Sequence, residues 1–225
     1  MRPMFLAGAF IGLAALGTTA ALMYGNRAHE AVHAPERAPA HVAKASPAPA
    51  TPPVPMAGRV AISPAQMRQA QAAGLIDRPI ESIIDVRGPM SYGEFEWNDR
   101  GVPAGPAWIR VDLSSQVISV FRSGHEIGTA VILYGTDGYP TPTGKFPILA
   151  KLKNHKSSTY DGAPMPYTLR LTGDGVSIHG SNVRWGLASH GCIGVPKDFA
   201  AKLFDVVKAG DEVLIVSGKT KLKTS

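Results

Sequence analysis

An uncharged run over residues 4–24, followed at once by a proline-rich tract, confines any packed fold to the rest of the chain. At about 1.5 Å of rise per residue, a helix of that length crosses a bilayer. Arg2 supplies a positive flank, and Thr18 and Ala20 also fit a cleavage site before Ala21. Residues 1–25 therefore read as a signal peptide or a signal anchor. Both readings place the remainder of the chain in the periplasm or cell envelope. Residues 26–58 contain seven prolines (Pro35, Pro39, Pro47, Pro49, Pro52, Pro53 and Pro55) and no apolar period. That is the composition of a disordered, semi-rigid tether.

The 225 residues are 44% hydrophobic and 18% charged, which is enough apolar material for a core. With 24 glycines and 19 prolines the chain suits a loop-rich β domain better than a helical bundle. A net charge of +6 suits work near anionic polymers, but it is too mild and too dispersed for nucleic acid. The membrane is reached only through the N-terminal segment. The single cysteine, Cys192, excludes an intrachain disulfide and a cysteine-rich zinc site.

Residues 59–105 read as a lead-in segment with one short helix. Ser63 is its N-cap, Pro64 opens it and Gly74 stops it. Residues 75–106, rich in proline and glycine, read as irregular. From Ala107 the pattern alternates. Residues 108–113 and 117–121 form a hairpin, and residues 127–134, 144–149, 167–171, 176–178 and 213–216 supply further strands. One amphipathic helix is expected over residues 196–209, with Phe199, Leu203, Phe204 and Val207 on its core face and Gly210 capping it. Residues 218–225 are a basic tail. The expected fold is a mainly antiparallel β domain with one or two helices.

The chemistry concentrates around Cys192, in Ser189-His190-Gly191-Cys192-Ile193-Gly194. A thiol attacks only as thiolate and needs a base or a positive field. His190 is two residues away, and His179 ends a strand, a rigid platform for a base. An exported lone cysteine flanked by glycine and histidine reads as a nucleophile rather than as buried filler. His125 and His155 have no partner in the sequence and read as surface or loop residues. Trp97 and Trp108 read as packing residues. Trp185, between the two site histidines, has the best claim to substrate contact.

Ile178-His179-Gly180 followed by Ser189-His190-Gly191-Cys192 resembles the signature of the L,D-transpeptidase catalytic domain, the YkuD family. Pro140-Thr141-Pro142-Thr143-Gly144-Lys145-Phe146 is similar to a further family segment, and so are Met165-Pro166-Tyr167-Thr168-Leu169 and Gly210-Asp211. The likeness covers residues 106–217. It implies an antiparallel β-sandwich in which Cys192 attacks a tetrapeptide stem of peptidoglycan, releases D-Ala and forms a thioester. His179 would be the base, oriented by the Gly180 carbonyl. The backbone N–H groups of His190, Gly191 and Cys192 would form the oxyanion hole. Ser189, Tyr167, Arg184 and Trp185 would border the substrate. The acyl group would pass to an amine of a second stem in a 3-3 cross-link, to an anchored protein or to a free amine. The resemblance implies no cofactor and no metal.

Two features depart from the family pattern. Gly194 stands where an arginine or asparagine is usual, a loss for which Arg184 is the candidate substitute. Only nine residues separate His179 from Ser189, so the loop over the site is short. Hydrolysis of the same thioester, as in an L,D-carboxypeptidase, and a non-catalytic wall-binding module are the competing readings.

Overall fold

The computed structural model describes residues 57–158 and 160–218. The leader, all of the tether but its last two residues, and all of the basic tail but Gly218 lie outside the described residues. Twelve strands and two helices follow one another: β1 (Arg59–Ala61), α1 (Pro64–Ala72), β2 (Ser82–Ile84), β3 (Phe95–Trp97), β4 (Ala107–Asp112), β5 (Val117–Arg122), β6 (His125–Val131), β7 (Gly144–Pro147), β8 (Ala150–Lys156), β9 (Pro164–Arg170), β10 (Ser177–Ser181), β11 (Ile193–Pro196), α2 (Lys197–Val206) and β12 (Glu212–Val216).

They build two sheets. The larger runs β1-β2-β6-β5-β4-β12-β7, with β3 also on β6, and the smaller runs β11-β10-β9-β8. Most pairs are antiparallel, as the alternating pattern predicts. Three are parallel: β2 with β6, β4 with β12 and β10 with β11. One core joins the sheets. Ile109, Val111, Ile118 and Ile127 of the large sheet meet Leu169, Ile178, Ile193 and Val195 of the small one, with Phe199 and Leu203 of α2.

The lead-in is more regular than its composition suggests. Residues 75–106 contribute β2 and β3, both paired with β6. A second cluster lies on the other face of β4 and β5, where Trp108 stacks on Phe121 at 4.3 Å under Ile80, Ile62, Met67 and Ile76. The lead-in covers the Trp108–Phe121 pair on the outer face of β4 and β5. At α1 the expectation holds: Ser63 and Gln66 form a reciprocal capping box, with Pro64 at the first turn.

α2 departs from its predicted end. It stops at Val206, and Val207 is already extended, so Gly210 caps nothing. Val207 leaves the helix to bury its side chain in the core. The freed carbonyls are met from outside: Lys151 Nζ donates to Phe204 O at 2.5 Å and to Val207 O at 2.6 Å. β8 and β11 were also unforeseen. β8 is too polar to alternate, and β11 is a four-residue, fully buried strand between a glycine turn and a helix.

Candidate active site

The site lies on β10 and β11 and on the loop entering β11. In their parallel register Ile178 faces Ile193 and His179 faces Gly194. Cys192 precedes β11, so the thiol and the imidazole are held on neighbouring backbone tracks. Both line one cleft of about 540 Å³, together with Ser181, Ser189, His190, Asp174, Met165 and His155.

His179 Nδ1 lies 3.1 Å from the Gly180 carbonyl oxygen. A carbonyl only accepts, so Nδ1 carries the proton and Nε2 is left as a basic lone pair. Burial pushes the His179 pKa below its ordinary 6.5, outweighing the Gly180 bond, and the charge of His155 acts in the same direction. The imidazole is therefore neutral at pH 7. Cys192 is half-buried, with Sγ 3.9 Å from the Gly175 carbonyl oxygen. Burial pushes its thiol pKa above 9.0; the Ser177 N–H opposes this, and the Asp174 charge adds to it. Both directions are those of desolvation, which disfavours the charged form of each group.

The loop before the cysteine is braced from the segment after β6. Thr141 Oγ1 accepts from Gly135 N at 2.9 Å and donates to Gly191 O at 3.0 Å. Ser189 N donates to Tyr134 O at 2.9 Å, and Ser189 Oγ donates to the Cys192 carbonyl. Gly191 sits at φ +101°, where a side chain is strained. Among the described residues, the N–H groups of His190, Gly191 and Cys192 donate to no protein group. Three orphan donors beside a thiol have the composition of an oxyanion hole.

Of the substrate-side residues expected from sequence, Ser189 lines the cleft but Tyr167, Arg184 and Trp185 do not. Tyr167 has φ +57° and packs edge-on against Phe204 of α2, 5.8 Å between centroids, so its ring serves the core. Arg184 Nε is committed to Asn182 Oδ1 at 3.0 Å and makes no substitute for the missing side chain at 194. Trp185 is 83% exposed, and its ring neighbour among the described residues is Tyr92. The His190 ring lies between Tyr139 and Tyr160, at 4.7 and 4.6 Å.

Both histidines read as surface or loop residues are elsewhere. His125 is buried in β6, with Nδ1 2.9 Å from Ser82 Oγ and Nε2 3.3 Å from Glu81 Oε2. His155 is half-buried on β8 and faces the cleft. No sequence motif marks it. Its one signal is register: it pairs with Met165, which is itself a cleft residue.

Residues 106–215 match the family model of the YkuD L,D-transpeptidase catalytic domain. These residues belong to the YkuD family. Among curated proteins the chain is similar to L,D-transpeptidase 1 of Mycobacterium tuberculosis, 30% identical over 135 residues, covering 52% of this chain and 53% of that protein. It is also similar to Probable L,D-transpeptidase 3 of the same organism, 26% identical over 60% of this chain and 73% of that protein. The chain thus spans about half of the first of these relatives. Among solved structures, an L,D-transpeptidase from Stackebrandtia nassauensis superposes with TM-score 0.47 at 25% identity, covering 52% of this chain and 58% of that one. Cys192, His179 and the whole Ser189–Cys192 loop fall inside the YkuD match.

Proposed function

We propose that the protein is an exported L,D-transpeptidase that acts on peptidoglycan stem peptides by cysteine acyl transfer. The observation that carries this reading is the His179–Gly180 bond, which fixes the tautomer and leaves Nε2 basic in the cleft that holds Cys192. As Sγ attacks the donor carbonyl, His179 takes the thiol proton. The developing oxyanion is met by the orphan N–H groups of residues 190–192, each donor of this kind contributing about 3 kcal/mol to barrier lowering. Collapse breaks the amide bond. The imidazolium returns its proton to the departing D-Ala amine, and a thioester remains. An acceptor amine then loses a proton to His179 and attacks the thioester, forming the new amide and restoring the thiol.

The test is mass spectrometry of the purified chain with a disaccharide-tetrapeptide. A dimer linked through the third residues, with loss of D-Ala, supports the transpeptidase. Tripeptide monomer alone replaces it with an L,D-carboxypeptidase. No thioester on Cys192 and no product overturn both in favour of a binding module.

A further inference from the structure

The cleft contains no permanent cation among its described lining residues: none is lysine or arginine. Arg184 bonds Asn182, Lys151 caps α2, and Arg170 donates to the carbonyls of Thr172 and Gly173. Gly194 removes the side chain that the family places there. Its space is filled by its neighbours: a Cβ on Gly194 would lie 3.0 Å from Ser181 Cβ and 3.4 Å from Leu133 Cβ. Yet a tetrapeptide stem brings carboxylates to both sides of the scissile bond. One is on the third residue's side chain, and one ends the leaving residue. A carboxylate bound in a half-buried cleft needs a charged or strongly donating partner.

Three imidazoles line the cleft. His179 is held neutral as the base, its Nδ1 spent on Gly180. The His190 ring is boxed between the rings of Tyr139 and Tyr160. His155 is in neither position: it has no ring neighbour of this kind, and neither of its nitrogens has a hydrogen-bond partner among the described residues. Its neighbours on β9, Pro164, Met165 and Pro166, offer no charge, and on its own strand Lys153 and Lys156 flank it. The titratable groups facing it across the cleft are His179, His190, Cys192, Tyr160 and Asp174. His155 is also close enough to His179 for its charge to oppose protonation there.

We infer that His155 is the donor-recognition residue of this cleft: as an imidazolium it binds a stem-peptide carboxylate flanking the scissile bond. This rests on the transpeptidase reading above. Donor affinity is thereby coupled to the charge of a residue that takes no part in bond making. His155 is a specificity residue, and its loss acts on KM rather than on kcat.

The experiment measures KM and kcat for thioester formation on the full chain from pH 5.5 to 8. It uses four donors: both carboxyls free, either one amidated, and both amidated. For the free donor, KM rises roughly tenfold across this range, as expected for loss of a charge-assisted hydrogen bond. His155→Gln has the high KM at every pH. His155→Arg has a low KM that does not vary with pH, which separates charge recognition from damage to β8. Amidation at one position abolishes the pH dependence and so identifies which carboxylate is bound. Equal KM for wild type and His155→Gln at pH 5.5 overturns the role, as does a pH dependence that survives in the doubly amidated donor. Absence of any thioester from all four donors overturns the transpeptidase reading and the role together. A thioester that forms equally well in His155→Gln overturns the role alone.

Discussion

His179 and Gly194 face each other across adjacent parallel strands, so the imidazole stands beside a residue with no side chain. Gly194 also exchanges two hydrogen bonds of 2.9 Å with Leu133, one from each N–H, on its other edge. It is enclosed from both sides. A large side chain at position 194 therefore harms this chain. Gly194→Arg is expected to destabilise by about 1–3 kcal/mol through overpacking against Ser181 and Leu133. Thioester formation should also fall at least roughly tenfold, because a 1.4 kcal/mol loss of positioning corresponds to that factor. Urea denaturation and intact-mass acylation kinetics check it, and a fully active, equally stable variant would show that the neighbours yield.

The raised thiol and the lowered imidazole predict an unusual pH response. Alkylation of Cys192 by iodoacetamide should be slow at pH 7, with an apparent pKa above the ordinary thiol range, because burial raises it. Acylation by donor should nevertheless persist well below pH 6.5, since the pKa of the His179 base is lowered. An alkylation midpoint below 7 would mean a preformed ion pair instead.

Thr141 ties Gly135 to Gly191 through one hydroxyl. Thr141→Val keeps the shape and orphans a buried donor and acceptor, at a cost of about 1–3 kcal/mol. Loosening the 189–192 loop should lower kcat for acylation more than it raises KM. Thr141→Ser should restore both.

Glu126 is buried in β6, where its Oε2 accepts from Ile84 N at 2.8 Å. Burial raises its carboxyl above the ordinary 4.5. Above about pH 4.5 the unfolded chain has released a proton that the folded state still holds, so this residue's contribution to stability falls as pH rises through that window. Glu126→Gln should flatten the decline. Comparing urea midpoints of the two proteins between pH 4.5 and 7 isolates it from the opposite slope of His179, whose lowered pKa makes stability rise with pH below 6.5.

Cys192 and His179 were legible as a candidate pair because they sit in short, contiguous motifs whose residue types the chemistry demands: a thiol, a glycine turn and a strand-end imidazole. The hairpin at β4 and β5 was legible because its two strands are apolar and separated by a short polar turn. What escaped is what tertiary pairing decides. β8 carries three lysines and exists through its register with β9, so neither it nor His155 leaves a periodic trace. Tyr167 was placed at the substrate by resemblance alone, and no local signal showed that a φ of +57° sets its ring against Phe204 of α2. The end of α2 was misread because a glycine three residues on looked like a cap, while burial of Val207 ended the helix first.

The tie between Thr141 and Gly191 joins parts of the chain 50 positions apart. Closing so large a loop costs entropy before the bond returns any enthalpy. On refolding, the β4–β5 hairpin can form early, whereas the loop before Cys192 must wait for β6, β10 and β11 to assemble. Recovery of acylation should therefore lag recovery of the far-ultraviolet β signal. During that interval the protein would be folded by spectroscopy and inert by assay.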